Sequence, residues 1–115
     1  MKITTATVRR CAAHAKRLSG GTFALAFAAK PGDPPRYVVT GAALTFTGVD
    51  AARQAAAYFA GIAGALTTRN PDIIEQVLAE TRDRHADMVH QGVIAARRAQ
   101  HRDLLRTQPG QTAAS

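Results

Sequence analysis

The sequence predicts an α+β fold in the order α-β-β-β-α-α: an N-terminal helix, a three-stranded antiparallel meander, and two closely packed C-terminal helices. Apolar residues recur at helical spacing over residues 8–18 and again beyond residue 50. Between residues 23 and 46 they alternate with period two instead. Clusters of glycine and proline fall at the changes of pattern.

The first helix is written in "VRRCAAHAKRL", Val8 to Leu18. At about 100° per residue, Val8, Cys11, Ala12, Ala15 and Leu18 fall on one stripe, the pattern of a buried face. Arg9, Arg10, Ala13, Lys16 and Arg17 fall on the other. Thr4 or Thr5 is the expected N-cap, and Gly20-Gly21 supplies the left-handed exit. "TFALAFAAK" then reads as a strand with Phe23, Leu25 and Phe27 on one face. "PGDPP", residues 31–35, forces a loop, because proline donates no ladder hydrogen bond. "RYVVTG" and "ALTFTG" follow as the second and third strands, parted by Gly41, with Leu44 and Phe46 alternating with threonines.

Asp50 is the expected N-cap of the next helix, whose apolar stripe is Ala55, Tyr58, Phe59, Ile62 and Leu66. A second stripe, Ala57, Gly61 and Gly64, is small enough to admit another helix backbone closely. "NPD" opens the last helical stretch, with Asn70 as N-cap, Pro71 at the first helical position and Asp72 favourable to the dipole. Its inner face runs through Ile74, Val77, Leu78, Thr81, His85, Met88, Val89 and Gly92. Unbroken to Arg106, it would be about 54 Å long at about 1.5 Å per residue, too long for one small domain to cover. It is therefore expected to break near Gly92, or to project and find a partner. Residues 1–106 read as a single α+β domain, and 107–115, "TQPGQTAAS", as a flexible tail.

Of 53 hydrophobic residues 25 are alanine, so the core is thin and must rely on close helix packing. The net charge of +7 points to an acidic partner: nucleic acid, DNA or RNA, or an acidic protein. Twelve of the fifteen basic residues are arginine, which a GC-biased coding sequence would also give. The charge is segregated. Lys2, Arg9, Arg10, Lys16 and Arg17 precede any acid, then Asp72, Glu75, Glu80, Asp83 and Asp87 outnumber Arg82 and Arg84. Arg97, Arg98, Arg102 and Arg106 reverse the sign again against Asp103. The longest apolar run, Ala55 to Leu66, has 12 residues and is too short to span a bilayer, so no membrane partner is expected. One cysteine and the absence of a signal-peptide pattern fit the cytoplasm.

Candidate chemistry is sparse. Cys11 and His14 are two potential ligands where a metal site needs more, and Cys11 reads as a buried structural thiol. Glu80, Asp83, Asp87 and His90 would share one face of an unbroken helix, but that face is solvated and Glu80 is set to pair with Arg84. His85 is expected hydrogen-bonded in the core. No phosphate loop or dinucleotide fingerprint occurs. The sequence thus specifies neither metal, cofactor nor enzyme.

The order helix, three strands, helix over residues 5–68 resembles the double-stranded RNA-binding domain. That family opens its second helix with a lysine cluster and carries a Gly-Pro-His strand loop, where this chain has Val49-Asp50 with Arg53 and "PGDPPR". The likeness is one of topology, and no site residue carries over.

Two expectations follow. The first is a non-enzymatic basic module contacting nucleic-acid phosphates through Arg9, Arg10, Lys16, Arg17, Arg97, Arg98 and Arg102. The second is a protein-binding adaptor or inhibitor acting through the last helix. Beyond Gly92 its apolar residues split into two stripes, Val93 with Ala96 and Leu104, and Ile94 with Leu105. One domain surface would not cover both, so this segment either packs on a second copy in a homodimer or folds back on its own chain.

Overall fold

A computed structural model describes residues 1–107, with side chains through Asp103; residues 108–115 of the expected tail lie outside the described residues. The elements are α1 (Thr5–Leu18), β1 (Ala24–Ala28), β2 (Arg36–Thr40), β3 (Leu44–Thr47), α2 (Ala51–Leu66), α3 (Asp72–Glu80) and α4 (Ala86–Thr107). This is the predicted α+β order, with the last helical stretch folded as two segments.

Both ends of α1 are locked locally. Thr4 and Thr7 form a capping box, each hydroxyl accepting the other's backbone N–H, at 3.4 and 3.1 Å. At the far end the Gly21 N–H bonds the Lys16 carbonyl at 2.8 Å and that of Gly20 the Arg17 carbonyl at 3.4 Å. That pairing is a Schellman exit, and glycine permits it because φ is +64° and +91° at the two positions. Thr7, Val8, Cys11, Ala12 and Ala15 are buried and Leu18 is half-buried, so the predicted stripe is the one that packs.

The strands form an antiparallel sheet in the order β1-β2-β3. Tyr37, Val39 and Phe46 point to the covered face, where Tyr37 Oη bonds Thr5 Oγ1 at 2.7 Å and the Phe46 ring lies 5.9 Å from that of Tyr58. One element departs from the predicted alternation. β1 pairs Leu25 with Val39 but Phe27 with Val38, so Ala26 is an extra residue in a β-bulge. A one-residue slip moves every later side chain to the other face. Phe27, expected beside Phe23 and Leu25, is instead 45% exposed on the outer face, with the Arg36 guanidinium carbon 5.0 Å from its ring centroid.

The alanine-rich α2 is the centre of the core: Ala55, Ala56, Ala57, Ala60 and Ala63 are all fully buried, with Tyr58, Phe59 and Ile62. Its small stripe admits a helix backbone at Gly61, whereas Gly64 faces only side chains at ordinary distance. A Cβ added to Gly61 would lie 2.2 Å from the Val89 carbonyl oxygen, and one added to Gly92 would lie 2.2 Å from that of Tyr58. The two backbones therefore touch, each through a glycine of its own.

Gly92 is consequently not a break, contrary to one expectation; α4 runs through it without interruption. The chain turns earlier, over residues 81–85, where neither glycine nor proline marks it. Thr81 is fully buried and its hydroxyl donates to the Val77 carbonyl at 2.7 Å, closing α3 with a side-chain bond. The turn lets α3 and α4 each lie on α2.

Asp50 stands at the N-cap position of α2 as expected, with φ −98° and ψ 9°, but its side chain makes no capping bond. Pro71, not Asn70, occupies the N-cap position of α3, while Asn70 Nδ2 donates to Glu75 Oε1 at 3.3 Å. His85 is buried as expected, but its Nε2 has no hydrogen-bond partner among the described residues.

Candidate nucleic-acid interface

Arg9, Arg10, Lys16 and Arg17 are all exposed, on the side of α1 opposite its buried stripe. The heptad offset fixes their arrangement. Arg9 and Lys16 form one row, Arg10 and Arg17 a second about 100° around the helix, each pair about 10.5 Å apart along the axis. The first row lines a groove of ≈ 220 Å³ between α1 and β1, together with Ala12, Ala13, Ala24 and Leu25. In the second row Arg17 Nη2 donates to His14 Nδ1 at 2.9 Å. Partial burial, then the charges of Arg17 and Arg10, hold the His14 pKa below its ordinary value. No carboxylate lies on this face, and Lys16 and Arg17 sit in the last turn, where the helix dipole favours cations.

On α4, Arg97, Arg98 and Arg102 are exposed. They fan around the side away from α2, where Ile94, Arg97, Arg98, His101 and Arg102 line an open hollow. Arg98 and Arg102 also border a deeper groove of ≈ 270 Å³ against the β2–β3 turn, floored by Phe23, Leu44 and Tyr58. Val93 and Ile94 are half-buried. The side chains of Leu104 and Leu105 lie outside the described residues.

Leu18, Ser19 and Gly20 at the exit of α1 share one hollow with Ala96, Ala99, Gln100 and Asp103 of α4, and none of the seven cations lines it. Of the acidic block, Glu80 is engaged elsewhere. Glu80 meets Arg53 Nη1 at 3.7 Å and the Met1 ammonium at 3.4 Å, while Arg53 Nη2 donates to the Glu80 carbonyl at 3.1 Å. The expected pairing of Glu80 with Arg84 needed a continuous helix, and the turn at 81–85 removes it. The same turn takes Glu80 and Asp83 off the face of Asp87 and His90, and among the described residues no three His, Cys, Asp or Glu are placed to hold a metal ion.

Cys11 is fully buried, and desolvation, only partly opposed by Arg10, pushes its thiol up to about 12. A thiol so protonated is no nucleophile near neutral pH. No helix of the described residues is long and apolar enough to cross a membrane. Sequence reasoning missed Arg36 and Phe27 on the open face of the sheet, because nothing in "ALAFA" announces a bulge.

Taken together, fold and charge define a small α+β fold with cations exposed on two of its helices, α1 and α4. No family model, curated protein or solved structure matches the chain. Its chemistry therefore has to be read from its own residues.

Proposed function

We propose that this chain is a non-enzymatic binding module that holds nucleic acid mainly by its phosphates, through Arg9, Arg10, Lys16 and Arg17 on α1 and Arg97, Arg98 and Arg102 on α4. The observation that carries this reading is the α1 face: four exposed cations in two rows with no carboxylate among them. A merely solvated helix face usually mixes signs. The exposed arginines of α4 add a second positive surface, and a phosphate chain is the polyanion whose repeated charge suits such rows. A lone buried thiol suits the reducing cytoplasm as the place of action.

Salt tests it directly. Seven phosphate contacts give a slope of log K against log salt of about −6 on duplex, a loss of roughly 10³-fold or more between about 50 and 200 mM. Replacing Arg9, Arg10, Lys16 and Arg17 together by glutamate should abolish binding with the fold intact, since all four lie off the buried stripe. Unchanged affinity in the folded variant refutes the assignment, as does binding insensitive to salt.

A second reading has one observation in its favour. Val93 and Ile94 are only half-covered, and Ile94 lies in a hollow ringed by arginines. An acidic protein would fit there, as would a second copy presenting Asp83 and Asp87. A mass in solution equal to one chain at micromolar concentration removes the homodimer; a dimer that becomes a folded monomer when residues 93–115 are deleted supports it.

A further inference from the structure

We infer that the nucleic acid held by this module is single-stranded, with one unstacked base laid against Phe27 and Arg36 on the open face of the sheet. The inference rests on the phosphate-binding reading above and adds the state of the strand.

The chain has four phenylalanines, two tyrosines and no tryptophan. Phe23, Tyr37, Phe46, Tyr58 and Phe59 are buried at 5% exposure or less, which leaves Phe27, at 45%, as the one exposed phenylalanine or tyrosine ring. Its position outside is produced by a specific device. Without the bulge, Leu25 opposite Val39 would be followed by Ala26 opposite Val38 and Phe27 opposite Tyr37. Phe27 would then join the core, where a chain this poor in large side chains has use for it. Ala26 instead turns the ring out of the core, and bulges of this kind commonly re-aim a side chain at a binding site.

The surroundings match a base and its phosphates. Arg36 lies over the ring, its guanidinium carbon 5.0 Å from the centroid, so the planar cation covers part of that aromatic face and a base laid here meets both groups. Val38 and Thr45 share this outer face by register, and it bears no carboxylate. β1 is an edge strand, and its Ala24 and Leu25 line the groove of Arg9 and Lys16. Phe27 is two and three residues further on, about 7–10 Å at about 3.3 Å per residue. A short run of nucleotides covers that distance. A strand whose phosphates follow Arg9 and Lys16 over the β1 edge therefore brings a base to Phe27. In a duplex both faces of each base are covered by its neighbours, so only an unpaired base can take this surface.

The test uses the full chain and three probes: a single-stranded oligonucleotide, the duplex of the same sequence, and an abasic phosphodiester oligomer of equal length. Because the protein has no tryptophan, F27W places a lone fluorophore at the ring. The expected result is quenching by the single strand but not by the abasic oligomer, although both bind. In anisotropy at about 50 mM salt, F27A should weaken single-strand binding about tenfold, or about 1.4 kcal/mol, with no change in the salt slope or in duplex binding. Unquenched F27W fluorescence with single strand bound, or a folded F27A variant that binds like the wild type, overturns the base contact and leaves the phosphate reading standing. Duplex bound as tightly as single strand overturns the choice of strand. Failure of all three probes to bind overturns the phosphate reading and this inference with it.

Discussion

The two arginine-bearing helices are held in opposite ways. α1 is closed by a capping box at one end and a Schellman exit at the other, and its buried stripe lies against α2 and the sheet. Its cations are thereby fixed relative to β1. α4 is held chiefly against α2, through the backbone contact at Gly92 and then Ala96 and Ala99, and the side chains from Gln100 to Asp103 are exposed. A rigid row of charges can register successive charges of a ligand, whereas charges on a lightly anchored helix end can adapt to its shape. The difference teaches that net charge says little until one knows how firmly each charge is mounted.

The largest expected effect breaks the mounting of α4. Gly92→Ala adds a single carbon, but that carbon would sit 2.2 Å from the Tyr58 carbonyl oxygen, with Ile62 N at 3.1 Å. Both obstacles are backbone, so the helices must separate. Overpacking of a well-fitted core costs about 1–3 kcal/mol and occasionally more, and a clash of this depth belongs at the upper end. At roughly 4–8 °C per kcal/mol the melting temperature should fall by about 10 °C or more. Gly64→Ala is the matched control. Its Cβ would find only ordinary contacts at 3.7 and 3.9 Å, and it should be neutral or stabilise by up to about 1 kcal/mol through helix propensity. Equal melting temperatures for the two variants would contradict the close crossing.

A smaller effect loosens α1 alone. Thr4→Ala removes one hydroxyl of the capping box and should cost about 1 kcal/mol, measured by denaturant unfolding. The same change should raise hydrogen exchange at the first turn of α1 and leave α4 as it was. Exchange rising equally in both helices would mean that they are not mounted independently.

What the sequence revealed divides along the same line. The faces of α1 were legible because stripe, cap and exit are local features of one helix, and Arg9, Arg10, Lys16 and Arg17 stand where a 100° step puts them. The small stripe of α2 was legible as a close-approach surface. The helix that fills it was not, because that depends on a turn at 81–85 set by a buried Thr81 and by packing on α2, with no glycine or proline there to read. Gly92 carries an ordinary helix-breaker signal and serves instead as a contact. The bulge at Ala26 was illegible for a related reason: strand alternation records the period, not the register against a partner, and Phe27 changes face through pairing alone.

The smallest effect concerns His14, which can assign pH dependence to one helix rather than the other. Arginine has no acceptor, so the 2.9 Å bond from Arg17 Nη2 requires a lone pair on Nδ1 and hence a neutral ring. Burial, Arg17 and Arg10 keep the folded pKa below the ordinary value of 6.5. As pH falls through 6.5 the unfolded chain therefore takes up this proton first, so stability is lost on acidification between 6.5 and the lower folded value and is unaffected by this group above it. A phosphate bound beside Arg17 reverses the preference. It favours the imidazolium, adds one cation to the α1 face, and should tighten nucleic-acid binding a few-fold between about pH 7.5 and 5 while steepening the salt slope by about 0.7–0.9. His14→Gln keeps an acceptor for Arg17 and cannot titrate, so the part of the pH dependence it abolishes belongs to α1. If H14Q retains all of it, the titrating group lies off this face, and the firmly mounted helix is not the one that senses the proton.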